Sequence, residues 1–323
     1  MTIAPETPTT LDRKLKHLEL EITGRCQLAC THCYAESGPT QGHGSMTPAN
    51  WMALIDEAVG LGTKSVQFIG GEPTMHPAFA ELVTHALNGG LAVRVYTNFY
   101  RVKPEHWELY TNPRVSLATS YYSDQAAEHD AITGREGSHA LTRGNIVEAV
   151  HRNIPLKVAI IRLRDDQRTA EARVEMLQLG VHQVRTDDVR AIGNAATEKS
   201  TLPSTSALCG KCGDDKAAVL PDGTVAPCVM ARFLPAGTVK GGTLANVLDS
   251  EAWKQISGSI RRTSQEGCTP DEDSCMPSPG ASPITACNPN QDGSDCAPAE
   301  TTACAPKYDF VPSASSTSNQ EGI

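Results

Sequence analysis

Six short β-rich runs alternate with amphipathic stretches through the first two hundred residues, and this alternation constrains the fold more than any other feature. The runs lie near 16–22, 65–69, 91–97, 114–120, 155–162 and 181–186. Between them fall helical segments such as 47–59, where Thr47 reads as an N-cap, Pro48 as the first helical residue and Gly60 as the stop. Strands alternating with helices imply a parallel sheet with right-handed crossovers. Six units predict an α/β chain forming a partial (β/α)6, TIM-like barrel rather than a closed eight-fold one.

Composition narrows the setting. A chain of 323 residues can bury a sizeable core and carry a smaller appendage. The first sixteen residues are polar, unlike a signal peptide, and no run approaches the roughly 18 apolar residues of a membrane span. A net charge of −9 with no basic stripe argues against nucleic acid as substrate. Without a secretion signal, the eleven cysteines point to metal binding in a reducing cytoplasm rather than to disulfides.

The cysteines are patterned. In Glu21-Ile-Thr-Gly-Arg-Cys26-Gln-Leu-Ala-Cys30-Thr-His-Cys33-Tyr34 the spacing C-x3-C-x2-C offers three thiolates and no fourth. A closed structural metal site completes its ligands, whereas a site meant for chemistry keeps one position open. A [4Fe–4S] cluster on three thiolates would have such an open iron. Zinc with a distant fourth ligand or His32, and three unrelated loop or core cysteines, are the alternatives. The trio falls in the loop leaving the first strand, where α/β proteins place their chemistry. The second strand ends in Gly70-Gly71-Glu72-Pro73, in which the glycines admit close backbone approach and the carboxylate can accept from an ammonium group.

Over residues 16 to 260 these motifs resemble the radical SAM superfamily. The resemblance implies that Cys26, Cys30 and Cys33 hold a [4Fe–4S] cluster, with Tyr34 as the aromatic residue that often follows. It implies that Gly70, Gly71 and Glu72 hold the methionine amino group of S-adenosylmethionine. The stretch Ser120-Tyr-Tyr-Ser-Asp-Gln-Ala-Ala-Glu-His129-Asp130-Ala-Ile-Thr-Gly134 is similar to the family's fourth-strand segment, with Ser120 at the ribose-contacting position. Tyr122-Ser123 replaces the usual Asp-Gly there. Arg162, leaving the fifth strand, is a candidate for the cofactor carboxylate, its alternative being a solvated charge.

A second metal site is expected beyond the barrel. Cys209, Cys212 and Cys228 flank two short strands, 217–220 and 224–226, joined by a Pro-Asp-Gly turn that would return Cys228 towards Cys212. This segment resembles the start of a SPASM or twitch domain, which implies a ligand set of Cys209, Cys212 and Cys228, with Cys268 or Cys275 as fourth, around an auxiliary [4Fe–4S] cluster; zinc is the alternative. The compact C-x2-C-x5-C-x3-C group of a full SPASM pattern is absent, favouring a truncated, twitch-like module. Instead five Cys-x-Pro units begin at Cys268, Cys275, Cys287, Cys296 and Cys304 in a segment poor in large apolar residues, a composition expected to be largely disordered. The expected division is a flexible 1–15, a barrel over 16–200, the auxiliary module over 201–263 and the tail over 264–323.

The function implied is reductive cleavage of S-adenosylmethionine to a 5′-deoxyadenosyl radical, which abstracts hydrogen from a substrate. The resemblance favours a ribosomally made peptide in natural-product maturation, with a flavodoxin or ferredoxin as electron donor. Only about fifteen residues precede the first strand, so leader recognition is expected from a separate protein or from the barrel mouth. The alternatives are a radical dehydrogenase of a small molecule and, from another class, a non-catalytic iron–sulfur or metal-binding protein.

Overall fold

A computed structural model describes residues 15–196 and 203–261. Cys268, the other tail cysteines, and the expected flexible start and disordered end lie outside the described residues.

The barrel units follow the sequence closely: β1 (His17–Glu21), α1 (Pro48–Gly60), β2 (Ser65–Ile69), α2 (Phe79–Asn88), β3 (Ala92–Tyr96), α3 (Pro104–Tyr110) and β4 (Val115–Tyr121). Then come α4 (Ala126–Thr133), α5 (Ser138–His151), β5 (Leu156–Arg162), α6 (Thr169–Gln178) and β6 (Gln183–Asp188). Helix α1 starts as expected, with Thr47 and Asn50 capping each other and Pro48 at the first position. One crossover differs from the single-helix expectation, because β4 and β5 are joined by two helices. Gly134, at φ 66°, ends α4, and the Asp130 carboxylate accepts from Gly137 N–H, Ser138 Oγ–H and His139 N–H to start α5.

Among the described residues the strand order is β6-β5-β4-β3-β2-β1-β7-β8-β9, with β7 (Lys216–Val219), β8 (Thr224–Ala226) and β9 (Gly237–Thr238). The order has two ends, so the barrel stays open. β1 to β6 pair in parallel, and β7 also pairs in parallel with β1, His17 opposite Lys216 and Leu20 opposite Val219. The expected ribbon therefore exists as the antiparallel pair β7–β8, but it docks on the free edge of β1 and extends the barrel sheet. Its turn seats on the segment before α1, where Ser45 N–H and Met46 N–H donate to Pro221 O at 2.9 and 3.1 Å. Gly44, at φ 79°, is required there, since a Cβ would collide with the Pro221 carbonyl.

Strand β1 is buried on both faces. Leu18, Leu20 and Ile22 join Trp51, Leu54 and Ile55 of α1 in the main apolar core. His17, Glu19 and Glu21 alternate with them and form a buried polar face of the same strand. Two further helices, α7 (Leu244–Asp249) and α8 (Glu251–Ser259), follow β9. Glu57 of α1 anchors α7 by accepting from Leu244 N–H and Ala245 N–H. Among the described residues no helix is long and apolar enough to cross a membrane.

Candidate active site: two cysteine trios on one cavity

The loop carrying Cys26, Cys30 and Cys33 has little regular structure of its own and is held by its neighbours. Gly71 N–H donates to Thr23 O at 2.7 Å and Glu72 N–H to Arg25 O at 2.9 Å, tying the loop to the end of β2. Ala29 N–H and Thr31 N–H donate to Thr133 O and Ile132 O, the last turn of α4. Asn194 N–H donates to Cys33 O at 2.9 Å. The approach to β2 is so close that a Cβ on Gly71 would lie 2.5 Å from Arg25 O, and one on Gly70 2.5 Å from Thr23 O. This contact is the physical reason for the Gly-Gly pair.

The sulfurs already have donors: Leu28 N–H and Asn98 Nδ2–H reach Cys26 Sγ, each at 3.4 Å, and Ser37 N–H reaches Cys33 Sγ at 3.3 Å. Burial, then the nearby Glu72 charge, nonetheless pushes the Cys26 thiol up to about 12. Cys30 is also raised, by burial and then by its two cysteine neighbours. Thiols raised in this way, Cys26 and Cys30, hold their protons until a cation displaces them, which is the behaviour of metal ligands.

A cavity of about 310 Å³ opens beside this loop, and both expected trios line it: Cys26, Cys30 and Cys33 from one side, Cys209, Cys212 and Cys228 from the other. The second trio is buried in an apolar cluster with Ile192, Leu208 and Ile260, against which Tyr34 packs. Hydrogen bonds with Cys209 and Cys228, together with burial, raise the Cys212 thiol well above its ordinary value. Among the described residues no three His, Cys, Asp or Glu side chains gather to hold a single metal ion; the cysteines ring a shared space instead. Four cavity-lining residues carry a buried polar atom without a partner: His32 Nδ1, Tyr34 Oη, Ser37 Oγ and His129 Nε2. Such orphans around a concave surface fit a polar ligand together with cluster iron.

Gly70, Gly71, Tyr34 and Ser120 line the cavity, Ser120 Oγ lying 3.0 Å from Tyr96 Oη. Two sequence candidates are placed elsewhere. Glu72 is fully buried and faces away from the cavity, its carboxylate accepting from Thr74 N–H, Thr74 Oγ1–H, Thr97 Oγ1–H and Asn98 N–H. Donors from its own turn and from the end of β3 thus fill this carboxylate. Arg162 donates at 2.7 Å across the β5–β6 pair to Asp188, which lines the cavity, and does not itself line it.

Sequence reasoning did not single out Asn98, Tyr122 or His129 as site residues, though all line the cavity. His129 carried a signal in the His-Asp-x-Ile-x-Gly stretch. Burial holds it neutral, at about 4, and Ser138 Oγ lies 3.2 Å from its Nδ1. Ser138 gives its proton to Asp130, so His129 Nδ1–H is the donor and Nε2 stands as a bare acceptor. The clamps on the Cys228 turn were equally silent: Val229 N–H donates to Glu19 at 2.7 Å and Arg232 to Glu21.

An open parallel half-barrel with a cysteine trio at the mouth of its first strand defines the class of protein, and the sequence profile of the radical SAM superfamily matches residues 20–179. A second profile, for an iron–sulfur cluster-binding domain named SPASM, matches 209–276 and so takes in Cys268 and Cys275. The chain belongs to the radical SAM superfamily and carries a SPASM domain. It is 25% identical to the PqqA peptide cyclase of Rhodopseudomonas palustris over 60% of this chain and 52% of that protein. It is 32% identical to the mycofactocin maturase MftC of Mycobacterium tuberculosis over 45% of this chain and 38% of that one. The chain thus spans about half or less of the length of these curated relatives. In fold it is similar to Streptococcus suis SuiB bound to S-adenosylmethionine, with a TM-score of 0.64 at 11% identity, covering 77% of this chain and 68% of that one.

Proposed function

We propose that this chain is a radical SAM enzyme that modifies a ribosomally made peptide in natural-product maturation. One observation carries the reading: both cysteine trios line a single cavity, so a radical-generating cluster and an auxiliary cluster would flank the same substrate. The names of the relatives, a peptide cyclase and a maturase, support a peptide as substrate.

In this reading Cys26, Cys30 and Cys33 hold a [4Fe–4S] cluster, while Cys209, Cys212, Cys228 and a tail cysteine such as Cys268 hold a second. Bound there, the first cluster and S-adenosylmethionine would supply the one-electron carbon–sulfur cleavage that furnishes a 5′-deoxyadenosyl radical. Gly70 and Gly71 let the backbone approach the methionine end, and Ser120 and Tyr34 border the nucleoside. His129 Nε2 offers an acceptor to a donor group on a bound ligand. The apolar wall around the second trio excludes water from the reacting centre. Residues 16–200 form the catalytic barrel and 201–263 the core of the auxiliary module. The electron donor is a flavodoxin or ferredoxin, leader recognition comes from a separate protein or from the barrel mouth, and the enzyme works in the cytoplasm.

The test is anaerobic reconstitution. Wild-type protein should bind about eight irons per chain, as two [4Fe–4S] clusters require, and form 5′-deoxyadenosine from S-adenosylmethionine under reduction. A Cys26/Cys30/Cys33→Ala variant should keep about half the iron and form none. Incubation with a precursor peptide encoded beside the gene should change that peptide's mass; 5′-deoxyadenosine formation by the triple variant would sink the assignment.

A further inference from the structure

After β3 the chain turns through Thr97, Asn98 and Phe99 in a conformation that its residue types do not favour. Phe99 is fully buried with φ 55°, a left-handed value that a bulky side chain adopts only at a cost. Its neighbours hold it there. Thr142 Oγ1–H donates to Asn98 O at 2.9 Å and Asn145 Nδ2–H to Phe99 O at 2.7 Å, both from α5. Phe99 N–H donates to Thr97 Oγ1 at 3.2 Å, and Asn98 N–H to the Glu72 carboxylate at 2.8 Å.

This turn fixes the orientation of the Asn98 side-chain amide. Tyr100 N–H donates to Asn98 Oδ1 at 2.8 Å, and a backbone N–H can only donate, so the atom it meets is the oxygen. Gln27 Nε2–H donates to the same oxygen at 3.0 Å. The NH2 group therefore faces the other way, where Nδ2 lies 3.4 Å from the sulfur of buried Cys26. Aspartate or serine would serve Tyr100 N–H as well, so the turn accounts for the oxygen but not for the NH2. Leu28 N–H, the other donor to this sulfur, comes with the path of the cysteine loop itself. The Asn98 donor is instead delivered from the end of another strand, by a strained turn.

We propose that Asn98, through its N–H···S bond to Cys26, raises the reduction potential of the cluster carried by Cys26, Cys30 and Cys33. The inference rests on the proposed function, since it takes that trio to carry a cluster. Reduction adds one electron to the cluster and removes one from a low-potential protein donor, with no bond formed or broken. A hydrogen bond to a thiolate sulfur stabilises the added negative charge, so the reduced state gains more from it than the oxidised state. Asn98 acts through the sulfur and is a positioning residue, not a cluster ligand. Removing its donor lowers the potential, and a carboxylate in its place lowers it further.

The measurement is a mediator titration of the full-length reconstituted chain, followed by the electron paramagnetic resonance signal that Cys26/Cys30/Cys33→Ala protein lacks. Asn98→Ser keeps an oxygen for Tyr100 N–H but is too short to reach the sulfur. It should shift the reduction equilibrium towards the oxidised form by about threefold or more, about 28 mV for one electron. Asn98→Asp, titrated at alkaline pH, keeps both bonds to the oxygen and should shift it by about tenfold or more, about 59 mV. Gln27→Leu loosens the same turn while Tyr100 N–H still pins the amide, and should stay within about twofold of wild type. Smaller shifts in the Asn98 variants, shifts towards the reduced form, or an equal shift in Gln27→Leu overturn the proposal. If Asn98→Ser does not load iron, Asn98→Asp decides alone; if neither loads, Asn98 serves cluster assembly and the proposal falls. Wild-type protein without the trio-dependent signal would instead refute the proposed function, so the two failures are distinguishable.

Discussion

Replacing Glu72 by glutamine separates a structural carboxylate from a ligand-binding one. One of its oxygens accepts from Thr74 N–H at 3.1 Å, Thr74 Oγ1–H at 2.7 Å and Thr97 Oγ1–H at 2.9 Å; the other accepts from Asn98 N–H at 2.8 Å. A glutamine amide offers an acceptor on one side only. With its oxygen turned to the threonines, its NH2 faces the Asn98 N–H, so one bond is lost and two donors oppose each other. Bonds to charged groups are worth about 1.5–3 kcal/mol and a stranded buried donor costs a similar amount, so the net loss should be about 2–3 kcal/mol. At roughly 2–4 °C per kcal/mol for a domain of this size, the apparent melting temperature should fall by roughly 4–12 °C. Anaerobic thermal unfolding of metal-free protein, followed by circular dichroism, reads this directly. Equilibrium dialysis of S-adenosylmethionine against reconstituted protein, below the transition, should show affinity within a few-fold of wild type. An unchanged melting temperature combined with lost nucleotide binding would refute the reasoning and return the carboxylate to the ligand.

Gly71→Ala should reduce both iron loading and stability. Its methyl would lie 2.5 Å from Arg25 O and 2.8 Å from Gly24 O, backbone atoms with no rotamer to turn, and overpacking of this kind costs about 1–3 kcal/mol or more; full iron content at wild-type stability would contradict the close approach. Arg162→Ala should leave S-adenosylmethionine binding unchanged, because its guanidinium is engaged by Asp188 and Arg162 does not itself line the cavity. The part-exposed pair contributes only about 0–1 kcal/mol, and a tenfold weaker binding constant would restore Arg162 to the site. Metal loading should strengthen with pH. The Cys26 thiol keeps its proton up to about 12, so its bond to iron displaces a proton, and apo protein should assemble clusters more completely at alkaline than at neutral pH. Loading independent of pH would mean that the thiols are already ionised.

Much of this protein was legible locally. The six barrel strands, the α1 caps and the β7–β8 hairpin depend on period, capping chemistry and turn residues, all of which operate over a few neighbours. The Cys26–Cys33 spacing and the Gly-Gly pair were legible for the same reason. Side-chain direction at the site was not. Gly-Gly-Glu gave no sign that Glu72 would turn back onto Thr74, Thr97 and Asn98, nor Arg162 that a strand later in the chain would supply Asp188.

The alternation His17-Leu-Glu19-Leu-Glu21 determined by itself that a strand would form with two chemically distinct faces. Which of those faces met water was beyond it, because period two carries no information about what covers each side. Only the curled sheet, with β7 paired to its open edge, buried the polar face. Folding then carried Glu19 and Glu21 to partners some 210 residues away, at Val229 and Arg232. The same closure brought the trio of the first strand's loop and that of the distant hairpin to one cavity. Contacts between segments so far apart leave no local pattern, since either segment would read the same without the other.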